Sequence, residues 1–315
     1  MARSRRRPRV LAAIDIGSYS VHLLVATVGR RQVAELVDES AFLGLGRTID
    51  RDGGIGPARD ELLATLAEFA EHARAFGAER TIVVGTDPLR RAPDAADVIA
   101  EAATFAGLDV GVLSQEEEAF IALLGATLGR PVAHETVVVD VGGGSTEIVV
   151  ARPGQPPLAA GLPLGATRLT GAHVRSDPPA WEAIEAMLRE SAGVMRGAPP
   201  AAPAELVAVG GTARSLLRVG PPLASRFLSR RRLRQALRLL TTQLAGDIAT
   251  RFAVRPSRAG VLPAGAAILL AAVERYEVEH LRVAKGGLRE GLLLAWTEAG
   301  GQWRSRLPSL LGAGN

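Results

Sequence analysis

The sequence predicts an α/β protein made of two similar halves that face each other across a phosphate-binding cleft. Two strand-turn-strand segments carry that prediction, together with the amphipathic helices that follow each of them. One is Asp140-Val141-Gly142-Gly143-Gly144-Ser145-Thr146-Glu147, flanked by apolar runs at residues 136–139 and 148–151. The other leads from an apolar run at residues 10–16, which contains Asp15, through Gly17-Ser18-Tyr19-Ser20 to a second run at 21–28. In both, an acid leads out of an apolar strand into a turn of glycine and hydroxyl residues. Such a plan, repeated one domain-length apart, points to duplication.

In chain order, residues 1–9 contain five arginines and read as a basic, disordered tail. A helix is expected from Gly56, with Pro57 in its first turn. Leu62, Leu63, Leu66, Phe69, Ala70 and Ala73 form its apolar face, and Gly77 ends it. A strand at 81–84 runs into Gly85-Thr86-Asp87-Pro88-Leu89-Arg90, the kind of strand end where α/β proteins place ligand contacts. A helix near 94–106 and a strand at 108–113 lead to Ser114, read as an N-cap with Glu116, Glu117 and Glu118 in the first turn. Residues 128–135, with Gly129 and Pro131, link lobes at 10–127 and 128–315, the last helix being free to pack back on the first lobe.

The second half continues with a helix at 181–195, a proline-rich connection at 198–203, and a strand at 206–209 running into Gly210-Gly211-Thr212. Ser229 is expected to cap a helix that buries Leu233, Leu237, Leu240 and Leu244 and turns Arg230, Arg234 and Arg238 the other way. From Arg226 to Arg258 there are nine arginines against one acid, Asp247, which makes a positive field. An apolar helix at 262–273, a strand at 281–284 and Gly286-Gly287-Leu288-Arg289-Glu290-Gly291, opening the last helix, complete the order.

With 315 residues and 47% hydrophobic content, about two domains with substantial cores are expected. The absence of cysteine excludes disulfides, thiolate metal sites and cysteine nucleophiles, and is compatible with a reducing cytoplasm, the expected location. Any metal must use oxygen or imidazole ligands. The apolar stretch behind the basic tail is too short for a signal peptide or membrane span, so no membrane partner is expected. Lys285 is the only lysine, so the net charge of +4 reflects arginine, the side chain suited to bidentate phosphate contacts. A GC-rich coding sequence would raise arginine equally, which leaves functional weight to local clusters.

Glycines let backbone N–H groups converge on an anion, and the hydroxyls of Ser145 and Thr146 add donors. Asp140 and Glu147 are placed to hold a divalent cation against a bound phosphate. A three-glycine turn alone fits an ordinary solvated β-turn as well.

Eight ordered blocks go further. Residues 14–24, 84–92, 114–119, 138–149, 162–170, 209–212, 262–270 and 286–291 resemble, in the same order, the exopolyphosphatase and guanosine pentaphosphate phosphohydrolase family. The resemblance spans residues 10 to 296 and matches the short form, without the helical C-terminal extension. It implies a two-lobed, actin-like fold of duplicated ribonuclease-H-like halves. It places the catalytic glutamate at Glu118 and the metal- and water-holding acids at Asp140 and Glu147. It assigns the phosphate loops to Asp15, Gly17 and Ser18 and to Gly142, Gly143, Gly144 and Ser145, a phosphate-binding arginine to Arg90, and a third turn to Gly210, Gly211 and Thr212. Three positions depart from the family pattern: Tyr19 stands where a small asparagine is usual, Lys285 where an aspartate is, and Gly260 where an acid is.

The function expected is hydrolysis of the terminal phosphoanhydride of inorganic polyphosphate, releasing orthophosphate, with Mg²⁺ or another divalent cation such as Mn²⁺ and a water activated by Glu118. Guanosine pentaphosphate is the alternative substrate. A non-catalytic binder of either compound is the alternative of a different class, favoured if Tyr19 blocks the loop. An actin-fold kinase would need a further acid to activate its acceptor. Nucleic acid is not an expected partner, and a homodimer is compatible with this reading.

Overall fold

Asp15 and Asp140 each stand one residue from the end of the first strand of a sheet, and the two sheets share a plan. In the computed structural model, which describes residues 7–222 and 225–311, the chain begins with β1 (Arg9–Ile16), β2 (Ser20–Gly29) and β3 (Gln32–Phe42). Next come α1 (Leu45–Asp52), α2 (Arg59–Ala75), β4 (Thr81–Gly85), α3 (Asp87–Arg91), α4 (Ala95–Ala106), β5 (Val110–Val112) and α5 (Gln115–Thr127). β1, β2 and β3 form an antiparallel meander, and β4 and β5 add in parallel on the other side of β1, giving the order β3-β2-β1-β4-β5.

The chain then repeats this. β6 (Thr136–Val141), β7 (Thr146–Ala151) and β8 (Leu158–Leu162) form a second meander, followed by α6 (Ala166–His173) and α7 (Trp181–Met195). β9 (Glu205–Val209) lies parallel to β6 and leads into α8 (Gly210–Leu216). β10 (Phe227–Ser229), α9 (Arg230–Thr242), α10 (Ala245–Arg251), α11 (Pro256–Ala259), α12 (Leu262–Arg275) and β11 (His280–Val283) follow. The sheet order is β10-β11-β9-β6-β7-β8, the first plan with β10 added at one edge. The chain ends in α13 (Leu288–Ala299) and α14 (Trp303–Leu310).

Two units result. The first holds the described residues up to Pro131 and those from Gly286 onward, and the second holds Val132 to Lys285. The segment from Gly286, numbered with the second lobe by sequence, therefore lies in the first unit. The expected linker at 128–135 is shortened, because Leu128 caps α5 in the left-handed region and the Gly129 N–H returns to the Leu124 carbonyl. Of the basic tail, residues 1–6 lie outside the described residues, whereas Arg9 is already in β1, paired with Val28.

Each unit has its own core. In the first, one face of the sheet packs on α2 and α4 through residues such as Ile14, Leu62, Leu66 and Val98. The other face packs on α5 and α13 through Leu11, Leu24, Ile121 and Leu292. α5 and α13 meet backbone to backbone: a Cβ on Gly125 would overlap the Gly287 carbonyl, and one on Gly291 the Ile121 carbonyl. α13 is tied to the sheet by the buried Arg289, which donates to the Leu23 carbonyl at 3.1 Å and to Asp38 Oδ1 at 2.5 Å. Burial lowers the affinity of this guanidinium for its proton, but the hydrogen bond and charge of Asp38 outweigh that and hold its pKa above the usual value. In the second unit, β6, β7 and β9 pack on α12, which is buried from Leu262 to Val273.

Ser229 accepts from the Arg232 N–H, as expected of the α9 cap, and Leu233, Leu237 and Leu240 are buried. Leu244 is exposed instead, because α9 ends at Thr242 and an extended Gln243 and Leu244 lead into α10.

Candidate active site

The two glycine-hydroxyl turns are structural equivalents. Asp15 pairs with His22 across β1 and β2, and Asp140 pairs with Glu147 across β6 and β7. Both turns are closed by the same bond, Gly17 N–H to the Ser20 carbonyl at 3.1 Å and Gly142 N–H to the Ser145 carbonyl at 3.0 Å. Beside each runs a threonine from the next parallel strand end. Thr86 Oγ1 donates to the Ile16 carbonyl at 3.3 Å, and Thr212 Oγ1 to the Val141 carbonyl at 3.0 Å. The equivalence breaks at the residue facing the aspartate: where the second turn has Glu147, the first has His22.

A close-packed segment backs each turn. In the first unit, the Gly44 and Gly46 amides donate to the Tyr19 and Ser18 carbonyls, and a Cβ on Gly46 would come within 2.9 Å of Ser18 Cβ. In the second, the opening amides of α6 do this work: Ala166 donates to the Gly142 carbonyl, and Thr167 and Arg168 to the Gly143 carbonyl. A Cβ on Gly165 would collide with the backbone of Gly143 and Gly144. Thr146 Oγ1 donates to the Leu164 carbonyl. These contacts take up the Gly142 and Gly143 carbonyl oxygens. Among the described residues, the Gly143 and Gly144 amides donate to no backbone carbonyl, so the donor side of the loop is the side left for an anion.

The hydroxyls are differently engaged. Ser18 Oγ donates to Asp87 Oδ2 at 2.6 Å, with both side chains buried, and Ser145 Oγ donates to Glu147 Oε1 at 2.6 Å. Asp87 also receives Arg91, at 3.0 Å. Backbone amides, more than serine hydroxyls, are thus the donors these loops present.

The three glutamates at the start of α5 separate by role. Glu117 forms a capping box with Ser114, each side chain bonding the other residue's backbone N–H, at 2.8 and 3.1 Å. Glu116 is exposed. Glu118 is buried, at 7% exposure, and its Oε2 accepts from Arg90 Nη1 at 2.6 Å. Arg90 Nη1 is also held by the Leu113 carbonyl at 2.9 Å. Arg90 therefore sets a guanidinium against the Glu118 carboxylate and fixes its orientation.

In the second unit, Asp140 and Glu147 stand opposite each other on antiparallel strands, so their side chains leave the same face of the sheet. Asp140 Oδ1 lies where a Cβ on Gly210 would come within 2.5 Å, which explains why that position is glycine, at φ 83°. Gly211 lies under the Arg258 guanidinium, whose Nη2 would be 3.0 Å from a Cβ there. Asp140, Glu147, Gly210, Gly211 and Thr212 are thereby gathered around the loop. Asp15, Gly17 and Ser18 gather in the first unit.

Among the described residues, no group of three or more acidic or imidazole side chains forms a ready metal cage. Two facing carboxylates beside a phosphate loop nevertheless fit Mg²⁺, which usually takes one or two carboxylates and fills its remaining positions with water and phosphate oxygens.

A sequence model of the Ppx/GppA phosphatase family matches residues 24–299. The chain belongs to this family. Exopolyphosphatase 1 of Mycobacterium tuberculosis is 30% identical over 305 residues, covering 90% of this chain and 87% of the relative. Exopolyphosphatase 1 of Mycobacterium leprae is 30% identical over 308 residues, covering 90% and 88%. The crystal structure of the Aquifex aeolicus Ppx/GppA family member, 27% identical, aligns with a TM-score of 0.76 over 93% of this chain and 99% of that one. An exopolyphosphatase from Cytophaga hutchinsonii, 21% identical, aligns at 0.81 over 92% and 98% and shares the fold. The architecture is the two-lobed, actin-like one of the Ppx/GppA family.

Sequence reasoning missed several residues near these turns. Arg258 was visible only as one of the cluster of nine arginines, and Gly44, Gly46 and Gly165 act through carbonyls distant in sequence. Of the departures from the family pattern, Tyr19 turns its ring onto Phe42, with centroids 4.8 Å apart, and is buried there. Lys285 is exposed and Gly260 half-buried.

Proposed function

We propose that this protein hydrolyses the terminal phosphoanhydride of inorganic polyphosphate and releases orthophosphate. The observation that carries the reading is the Gly142–Ser145 turn, whose Gly142 and Gly143 carbonyls are held by α6 while the Gly143 and Gly144 amides donate to no backbone carbonyl among the described residues, with Asp140 and Glu147 in register beside it. The exopolyphosphatase names of the mycobacterial relatives support the choice of substrate.

In this reading the Gly143 and Gly144 amides hold oxygens of a phosphoryl group, and the Gly17 turn is a phosphate loop of the first unit. Asp140 and Glu147 would hold Mg²⁺ or Mn²⁺, which when bound neutralises phosphate charge. Glu118 orients a water in line with the scissile bond and takes its proton, while Arg90 fixes the Glu118 carboxylate. Positioning and charge neutralisation are the main demands of phosphoryl transfer, and each of these groups supplies one of them.

The test is orthophosphate release from long-chain polyphosphate, guanosine pentaphosphate and ATP, each with and without Mg²⁺. Metal-dependent release that is fastest from polyphosphate is expected. Faster release from guanosine pentaphosphate would reassign the substrate, and binding without release from any of the three would make the protein a sensor.

A further inference from the structure

We propose that a groove along α9 is a second binding site for inorganic polyphosphate, at the opposite end of the second unit's sheet from the Gly142–Ser145 loop. The strand directions fix the placement. β6, β9 and β11 run parallel, and Gly142 follows the final residue of β6. α9 begins after Ser229, which pairs with His280, the first residue of β11. The loop therefore lies at the end where these strands finish, and the α9 N-terminus at the end where they start.

The groove has a volume of about 400 Å³ and is lined by Arg230, Arg231, Arg234, Gln235, Arg238 and Glu279. Arg230, Arg234 and Arg238 follow one another at four-residue spacing, a row of cations spanning about 12 Å of helix. Arg234 is paired with Glu274 at 3.1 Å, whereas Arg230, Arg231 and Arg238 form no ion pair among the described residues. Three arginines also occupy the first turn of α9, which holds no acid. There they oppose the positive end of the helix macrodipole, an arrangement that costs the isolated helix stability and is relieved by a bound anion. A linear polyanion meets a row of this kind with successive phosphates and releases counterions as it binds.

Polyphosphate as the occupant rests on the hydrolase reading above; the arginine row does not. A nucleotide would bind differently. Beside the groove, and sharing Arg234 and Arg238, is an apolar hollow of about 290 Å³ lined by Trp181, Leu188, Leu237 and Leu270, where a base would lie. Inorganic polyphosphate has no use for that hollow, so its binding is independent of Trp181.

The experiment uses the full chain and fluorescently labelled long-chain polyphosphate, with affinity measured across a salt series. Replacing Arg230, Arg234 and Arg238 together by Gln keeps helix propensity and is expected to weaken binding roughly tenfold and to flatten the salt dependence. Hydrolysis of tripolyphosphate, too short to reach from groove to loop, should be unchanged in this variant, and Trp181→Ala should bind the long chain as the parent does. In the unaltered protein, polyphosphate should protect Arg230, Arg231 and Arg238 from phenylglyoxal, read by mass spectrometry, which keeps the test independent of the variant's folding. Equal affinity and salt slope in parent and triple variant, or absence of protection, would overturn the proposal. So would loss of binding in Trp181→Ala, which would assign the groove to a nucleotide. Intact groove binding in a protein that releases no phosphate would remove the hydrolase reading and leave the site.

Discussion

Glu118 differs from its neighbours Glu116 and Glu117 by burial and by its arginine, and those two properties suit it to hold a water rather than a helix end. Glu118→Gln keeps the size and one hydrogen-bonding oxygen for Arg90 but removes the proton acceptor. Turnover is expected to fall roughly 10²–10⁴-fold with little change in substrate affinity. Steady-state kinetics set beside a binding titration will check this, and near-normal turnover removes Glu118 from the role. Asp140 makes a separate prediction. Asp140→Asn loses an anionic oxygen from a hard-cation site, so the Mg²⁺ concentration for half-maximal activity should rise. A metal titration superimposable on the parent's would reduce Asp140 and Glu147 to flanks of a turn.

At the scale of elements, α6 is the support of the glycine loop, and Gly165 is its closest contact. In Gly165→Ala the new methyl would push into Gly143 and Gly144. Overpacking of this kind costs about 1–3 kcal/mol, and here the displaced atoms include the proposed phosphate donors. A larger fractional loss of turnover than of thermal stability is expected, and the reverse ranking would make α6 a packing element only. α2 and β3 are joined by His72 Nδ1 and Glu39, 2.8 Å apart, and the Glu39 hydrogen bond raises the His72 pKa above its usual value. Because the folded pKa is the higher one, this contact contributes stability below about pH 6.5 that is lost as pH rises through the raised pKa. The effect is small, since both side chains are well exposed. Thermal melts of parent and Glu39→Gln should differ at pH 5.5 and converge above pH 8.

The same elements show what the sequence could reveal. Both hairpins were legible because apolar strands bracket turns of glycine and hydroxyl residues, and α9 because Ser229 and the leucine spacing mark it. β3 and α1 went unread: β3 is largely exposed, with no alternating apolar face to announce it. α6 was hidden because its N-cap, Gly165, offers no side-chain cap, and the carbonyls that receive its first amides lie some twenty residues earlier. Leu244 misled because the leucine period runs on past the point where the backbone extends. Arg90 was assigned to phosphate by resemblance, and its partnership with Glu118 needed the fold.

For the whole molecule, duplication is the organising fact. Two sheets of one plan each put an aspartate at the penultimate position of the first strand, a threonine from just past the next parallel strand beside the turn, and a glycine-bearing segment behind it. The copies then diverge in chemistry, His22 against Glu147 and Tyr19 against Gly144, so the carboxylate pair belongs to the second copy alone. The return of the chain from Gly286 to the first unit packs α13 on α5 through Gly125, Gly287 and Gly291, which fixes the helix that carries Glu118. The claim drawn from this arrangement is that water attacks a terminal phosphoryl group. Incubation of long-chain polyphosphate with the protein and Mg²⁺ in ¹⁸O-enriched water, with products resolved by mass, tests it directly. Orthophosphate carrying one ¹⁸O per molecule, present from the first time point, is the predicted result. Chains cut to fragments without orthophosphate release, or orthophosphate without the label, would contradict it.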